Sequence, residues 1–199
     1  MLFEFIKSFI ALFIIIDPFV SMPVFISLTK WQKDKQKNKE AFIAVGVAFV
    51  LIIIFLFVGM LLLDIIKISL NSFKIAGGII LLIMGIQSVL GIGESNSHRN
   101  KSHKKMVGVV IGTPLLTGPG ALTTVVILSQ NYGYLIPLIA SALVLSITWL
   151  MLRFSSTIVK LVGDQILEIM SRVMGLLLAS IAVQFIIDGI LGIKIMGIL

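Results

Sequence analysis

The sequence predicts an all-α membrane protein with six transmembrane helices, built as two inverted repeats of three helices. In this fold the first helix of each repeat is broken near the membrane midplane. Composition gives the first indication: the 199 residues are 58% hydrophobic and 13% charged, with a mean hydropathy of +1.15. A soluble domain of this size cannot bury so much apolar surface, so lipid is the solvent for most of it.

Six apolar segments of spanning length give the second indication. At about 20 residues per transmembrane helix they fill almost the whole chain and leave no room for a soluble catalytic domain. The predicted spans are 2–28, 41–63, 73–90, 107–129, 134–152 and 168–190.

The polar connections divide and orient the chain. A polar linker, residues 92–106, separates a first repeat (1–91) from a second repeat (107–199). Each repeat has three spans, an odd number, so the second must enter the membrane inverted relative to the first. The basic residues of one side are Lys30, Lys33, Lys35, Lys37, Lys39, Arg99, Lys101, Lys104, Lys105, Arg153, Lys160 and Arg172. The other side has four, so the positive-inside rule predicts that both termini lie outside the cytoplasm.

A repeated proline cassette gives the third indication. "PFVSMP" (18–23) in the first span and "PLLTGP" (114–119) in the fourth share two prolines and a hydroxyl, with Ser21 and Thr117 in the same slot. Proline lacks an N–H and clashes with the preceding turn, so each cassette is expected to split its span into two half-helices. A single transmembrane proline is commonly only a tolerated kink, but two matched cassettes in inverted halves favour a binding site.

Local chemistry predicts where each second half-helix begins. Pro23 and Pro119 suit its first position, and Ser21 and Thr117 lie where they can cap it. Each helix start presents free N–H groups and partial positive charge, which suits a carboxylate. Asp17 beside the first cassette can hold a cation or an ammonium group. A small amino-acid zwitterion matches both features.

Further polar residues extend this candidate site. Thr123 and Thr124 either face the cavity or bond their own helix backbone. Gln184 forms a stripe with Ser180 and Asp188, and either bonds a broken helix or lines the pathway. The expected substrate-binding residues are Asp17, Pro18, Ser21, Pro23, Thr113, Thr117, Gly118, Pro119, Gly120, Thr123, Thr124 and Gln184.

The chain resembles the MarC family of bacterial and archaeal inner-membrane proteins at "DPFVSMPVFISLT", "TPLLTGPGALTTVVIL" and "RVMGLLLASIAVQFIIDGI". This resemblance covers essentially the whole chain. It implies six spans in two inverted repeats, a relationship to LysE-type exporters and transport of small neutral amino acids. One departure concerns the first cassette, where Val20-Ser21 replaces the Gly-Asn usual in the family.

The expected function is secondary transport of small neutral amino acids, such as glycine, alanine, serine or threonine, across the cell inner membrane. No ATP-binding Gly-x-x-x-x-Gly-Lys loop occurs in the sequence, so a gradient of H⁺ or Na⁺ is the expected energy source. A carrier of another small solute or ion, and a non-transporting membrane partner, are the alternatives. Asp17 and Asp188 differ too much in depth for an aspartyl-protease dyad, so no enzyme activity is expected. No cofactor, metal or nucleic-acid partner is expected either.

Overall fold

The computed structural model describes residues 1–91 and 116–195, and within them every regular element is helical. The helices are α1 (Leu2–Ile16), α2 (Pro18–Thr29), α3 (Asp34–Ile65), α4 (Leu70–Leu90), α5 (Pro119–Tyr132), α6 (Leu135–Arg153), α7 (Ser155–Val162) and α8 (Asp164–Ile195).

Five segments of the described chain are long and apolar enough to cross a membrane. They are Leu2–Thr29, Asp34–Ile65, Leu70–Leu90, Leu135–Arg153 and Gln165–Lys194. Five of the six predicted spans are therefore confirmed as helices. The first part of the predicted fourth span lies outside the described residues, and α5 forms its second half. Thr113 also lies outside the described residues. At 14 residues, α5 is about 21 Å long and too short to cross the bilayer alone.

The first span breaks at Asp17, which corrects the predicted position. Asp17 has φ 41° and ψ 76°, in the left-handed region, where it ends α1 and begins α2. Pro18, and not Pro23, is the first residue of the second half-helix, and Pro23 lies inside α2. A residue before proline is disfavoured in the helical region, and aspartate tolerates the left-handed one. Asp17-Pro18 is therefore a stronger stop than the predicted Ser-Met-Pro.

The predicted cap residues are wrong in both cassettes. The Asp17 carboxylate caps α2, while the Ser21 hydroxyl donates to the Asp17 carbonyl at 3.1 Å. Pro119 begins α5 as predicted, but the N-cap position belongs to Gly118 rather than Thr117. A short polar cap was expected from propensity, whereas here a glycine already supplies the extended N-cap conformation.

Helices α4 and α8 form the most extensive helix pair, with backbones in direct contact. A Cβ added to Gly78 would lie 2.8 Å from the Ala182 carbonyl oxygen, and one added to Gly85 would lie 2.8 Å from the Gly175 oxygen. The residue numbers of the contacts decrease along α8 as they increase along α4, so the two helices are antiparallel. These are the third spans of the two predicted repeats, and inversion requires this antiparallel relation.

Helix α5 occupies the interior. Its buried residues are Gly120, Ala121 and all seven positions from 123 to 129, so nearly the whole circumference is covered. It packs against α1, α3, α4 and α6. A helix apolar on all sides is expected to be buried by neighbours rather than to face a solvent on one side. This central position buries most of α5 from its second residue, Gly120, onward, while its first residue, Pro119, is exposed.

Candidate functional site

The end of α1, just before the break at Asp17, lies close to the start of α5. A Cβ added to Gly120, in the first turn of α5, would lie 3.7 Å from Ile15 Cγ2. Ile15 comes two residues before the break at Asp17. The same added Cβ would collide with the Leu81 side chain of α4, so any larger residue at position 120 would force Leu81 to shift. The last turn of α1, just before the break at Asp17, thus lies beside the first turn of α5.

Asp17 is the carboxylate of this region and is only 8% exposed. Its Oδ1 accepts a hydrogen bond from the Val20 N–H at 3.3 Å, and the Phe19 N–H is also directed at it. The side chain is therefore an N-cap, and its negative charge lies at the positive end of α2. Because a carboxylate can accept about four hydrogen bonds, capping does not use all of its capacity.

The start of α5 supplies the complementary charge. Its N-cap, Gly118, makes no side-chain hydrogen bond to the first turn. The Ala121 and Leu122 N–H groups donate to the Gly118 carbonyl at 2.9 and 3.3 Å. Pro119 has no N–H, which leaves the Gly120 N–H as the donor that points beyond the helix end. Pro119 is exposed while Gly118 and Gly120 are buried, so this helix start is open on one side.

The hydroxyls around the two starts differ in their availability. Ser21 and Thr117 are 1% and 3% exposed, and the Ser21 hydroxyl is held by the Asp17 carbonyl. Thr123 donates to the Pro119 carbonyl at 2.8 Å and packs against Gly77, so it follows the backbone-bonding alternative. Thr124 is fully buried, and its hydroxyl has no hydrogen-bond partner. A buried hydroxyl without a partner costs about 1–3 kcal/mol.

The prolines of the first cassette serve the backbone. Pro18 is buried and Pro23 is half-buried within α2.

Gln184, by contrast, is not brought to this region. Its side chain is exposed on α8 and donates to Asp188 Oδ1 at 2.8 Å. The prediction that Gln184 bonds a broken helix finds no contact to support it among the described residues.

Sequence reasoning overlooked Ser8. This serine on α1 is fully buried and its hydroxyl has no hydrogen-bond partner, a property it shares with Thr124. It comes nine residues before Asp17, about 13 Å along the helix axis. The available signal was its spacing, because Ser8, Leu12 and Ile15 recur at helical intervals and define the buried face of α1.

Within the described residues, no group of three or more His, Cys, Asp or Glu side chains is placed to hold a metal ion. His98 and His103 lie outside those residues. The polar chemistry of the described site therefore consists of one carboxylate, two helix starts and buried hydroxyls.

The fold and this region define the class of protein: a multi-pass α-helical integral membrane protein with a broken first span. The chain belongs to the MarC family, since the model of the MarC family integral membrane protein matches residues 2–194. It is 35% identical over 195 residues to a UPF0056 membrane protein of Archaeoglobus fulgidus, covering 94% of this chain and 92% of that protein. It is 32% identical over 197 residues to the UPF0056 membrane protein YhcE of Escherichia coli, with the same coverage. No solved structure matches the chain significantly.

Proposed function

We propose that the protein is a secondary transporter of small neutral amino acids, with its substrate held between the starts of α2 and α5. The observation that carries the proposal is the contact between the last turn of α1, just before the break at Asp17, and the first turn of α5, through Ile15 and Gly120. Broken helices that meet near the midplane are the usual substrate sites of transporters built from repeats. A closed structural helix bundle has no need of such breaks.

The chemistry of the region suits a zwitterion. The Gly120 N–H and the partial positive charge at the start of α5 favour a substrate carboxylate. Asp17 favours an ammonium group, because its remaining acceptor capacity is buried and an opposite charge stabilises it there. The two groups of an α-amino acid are separated by a single carbon, which matches helix starts packed this closely.

The surroundings favour a small substrate side chain. Ile15, Ile16, Leu81 and Leu116 are all buried around the helix starts. Protein interiors are close-packed, so a large side chain would displace these residues at high cost. The Thr124 hydroxyl adds a hydrogen-bonding position for a serine or threonine substrate. Glycine, alanine, serine and threonine are thus the proposed class.

Energy and placement complete the proposal. A gradient of H⁺ or Na⁺ drives transport, and the chain lies in the cell inner membrane with both termini outside the cytoplasm. The excess of Lys and Arg on the three loops of the opposite side supports this orientation. The proposal includes no enzyme activity, no cofactor and no nucleic-acid partner.

Uptake by the purified protein in liposomes tests this function. Vesicles preloaded with unlabelled alanine are expected to accumulate labelled alanine by exchange, and glycine, serine and threonine should compete. Lysine, glutamate and tryptophan should not compete. A carrier of another small solute or ion would give no amino-acid exchange but would dissipate a gradient of its own substrate. A non-transporting membrane partner would do neither.

A further inference from the structure

The outward face of α8 carries polar side chains that the proposed transport site does not use. Ser180, Gln184 and Asp188 are all exposed. Gln184 lies about 180° around the helix from Gly175, which packs against α4. These side chains therefore point away from the helix pair, toward the surroundings of the protein.

Gln184 lies near the middle of the membrane. It comes 12 residues after Arg172 and 10 before Lys194, and the charged residue between Gln184 and Lys194 is Asp188, one turn away. These separations correspond to about 18 Å and 15 Å along the helix axis, against a hydrocarbon core of about 30 Å. A glutamine side chain cannot reach water over that distance. Its hydrogen bond to Asp188 uses one N–H of an amide that has two and a carbonyl.

The exposed residues around Gln184 follow the spacing of a coiled coil. Val173, Leu177, Ser180, Gln184, Ile187 and Leu191 recur at alternating intervals of four and three residues, and all six are exposed. We call these six residues the outer seam. This spacing places knobs along one line on a helix and lets two helices pack at a shallow left-handed angle. A polar residue at one such position fixes register and the number of strands.

We propose that the outer seam is the contact surface between two copies of this chain in the membrane, with Gln184 at its centre. A second copy inserted in the same orientation presents its own Gln184 at the same depth. The amide is both donor and acceptor, so it is complementary to itself across a two-fold axis along the membrane normal. Interhelical amide hydrogen bonds of this kind hold transmembrane helices together.

The shape of the outer seam also fits a second copy. Ser180, one turn from Gln184, is small, and its hydroxyl is already bonded to the Leu176 carbonyl at 2.9 Å. Small residues let helix backbones approach closely in membranes. Asp188 lies beside the seam rather than on it, next to the Gln184 amide. The amide of each copy can therefore reach the carboxylate of the other without placing the two carboxylates face to face.

Cysteine cross-linking tests the proposal directly, because the natural chain contains no cysteine. Single substitutions Ser180→Cys, Gln184→Cys and Ile187→Cys are made in the full chain and oxidised in liposomes at low protein density. Ile190→Cys, on the same helix but off the seam, and Ile83→Cys, on the exposed face of α4, are the matched controls. Seam variants should form disulfide-linked dimers and the controls should not. Equal yields at seam and control positions, or linked species containing a different protein, would overturn the proposal.

A second measurement isolates the role of the amide. Gln184→Leu should raise the dissociation constant of the dimer in lipid about three- to tenfold, measured by energy transfer on dilution of labelled protein into excess lipid. Gln184→Asn keeps an amide and should retain most of the affinity. Unchanged association in Gln184→Leu, or monomers at every dilution of the natural chain, would refute the proposal whether or not the protein transports amino acids.

Discussion

Asp17 and Val20 are joined by a hydrogen bond from the Val20 N–H to the Asp17 carboxylate, 3.3 Å long, across the first turn of α2. The carboxylate of the first span is thus placed on the end of a helix, and no basic side chain among residues 1–91 and 116–195 pairs with it. A fixed salt bridge would leave no affinity for a passing cation. A helix cap retains acceptor capacity, which the proposed transport site requires.

Asp17→Asn is expected to leave the protein folded and to lower amino-acid exchange tenfold or more. Asparagine caps helices as well as aspartate and tolerates the left-handed conformation, so α2 keeps its start. The charge proposed to bind the substrate ammonium group is lost, which weakens binding by about 1.4 kcal/mol or more. Exchange in liposomes measures the effect, and Asp64→Asn, an exposed carboxylate at the end of α3, is the control. Normal exchange by Asp17→Asn would reduce Asp17 to a structural cap.

Two proline variants separate the observed break from the predicted one. Pro18→Ala frees Asp17 to join α1 and α2 into one helix, so exchange should fall sharply. Pro23→Ala restores an N–H in the helix interior and should leave the melting temperature unchanged or higher, with exchange retained. Both quantities are measured on the purified variants. The opposite ranking would place the functional break at Pro23.

Thr124→Val tests the hydroxyl without a partner. Valine has nearly the same shape, so the free protein should be more stable by about 1–3 kcal/mol once the unpaired buried hydroxyl is gone. Serine affinity should weaken by about 0.5–1.5 kcal/mol because a hydrogen bond to substrate is lost. Thermal unfolding with and without serine gives both values. Thr148→Val, equally buried but bonded to the Val144 carbonyl, should change stability without changing affinity.

Gly78→Ala should destabilise the protein by about 1–3 kcal/mol. The added methyl group would lie 2.8 Å from the Ala182 carbonyl oxygen, so α4 and α8 must move apart. Gly46→Ala on α3 is the matched control, since nothing lies within 4 Å of its added Cβ. Alanine is the better helix former by about 1 kcal/mol, so this control should be neutral or stabilising. Equal effects in thermal unfolding would mean that the glycine contacts do not hold the pair together.

Single cysteines at Lys35 and Lys67 test the orientation. Both positions are exposed, at opposite ends of α3. A membrane-impermeant thiol reagent added outside intact cells should label Lys67→Cys and not Lys35→Cys, because the basic loops are expected in the cytoplasm. Labelling of both positions after the cells are opened is the control. The reverse pattern would invert the proposed topology.

The sequence predicts the helices well because lipid imposes a simple rule. Every backbone group in the membrane must be paired within its own segment, so a long apolar run such as 41–63 has to be helical. The position of the break in the first span is harder to predict from the sequence. Two prolines compete for it, and the outcome depends on Asp17, whose side chain replaces the hydrogen bonds that the break removes. Proline spacing alone does not contain that information.

The candidate site was predicted in outline and missed in detail for a similar reason. The sequence repetition predicts that the two broken spans lie near each other, and the contact of Ile15 with Gly120 agrees with that prediction. The burial of Ser8 and the unpaired hydroxyl of Thr124 depend on which neighbours cover α1 and α5. The exposure of Gln184 depends on which face of α8 is taken by α4. The burial and hydrogen bonding of these side chains depend on packing between segments that are distant in sequence. The sequence of one span therefore does not show which of its polar residues are buried.

The glycine contacts between α4 and α8 have a mechanical consequence. Helices whose backbones touch over several turns cannot slide or separate without losing many contacts at once. The pair is therefore expected to stay fixed while other helices move. Helix α4 comes from the first half of the chain and α8 from the second, so this fixed pair joins the two halves. Alternating access would then require α1, α2 and α5 to move relative to the α4–α8 pair. The angle between α1 and α2 would change at Asp17. A tether linking α4 to α8 should leave turnover intact, whereas one linking α1 to α5 should stop it.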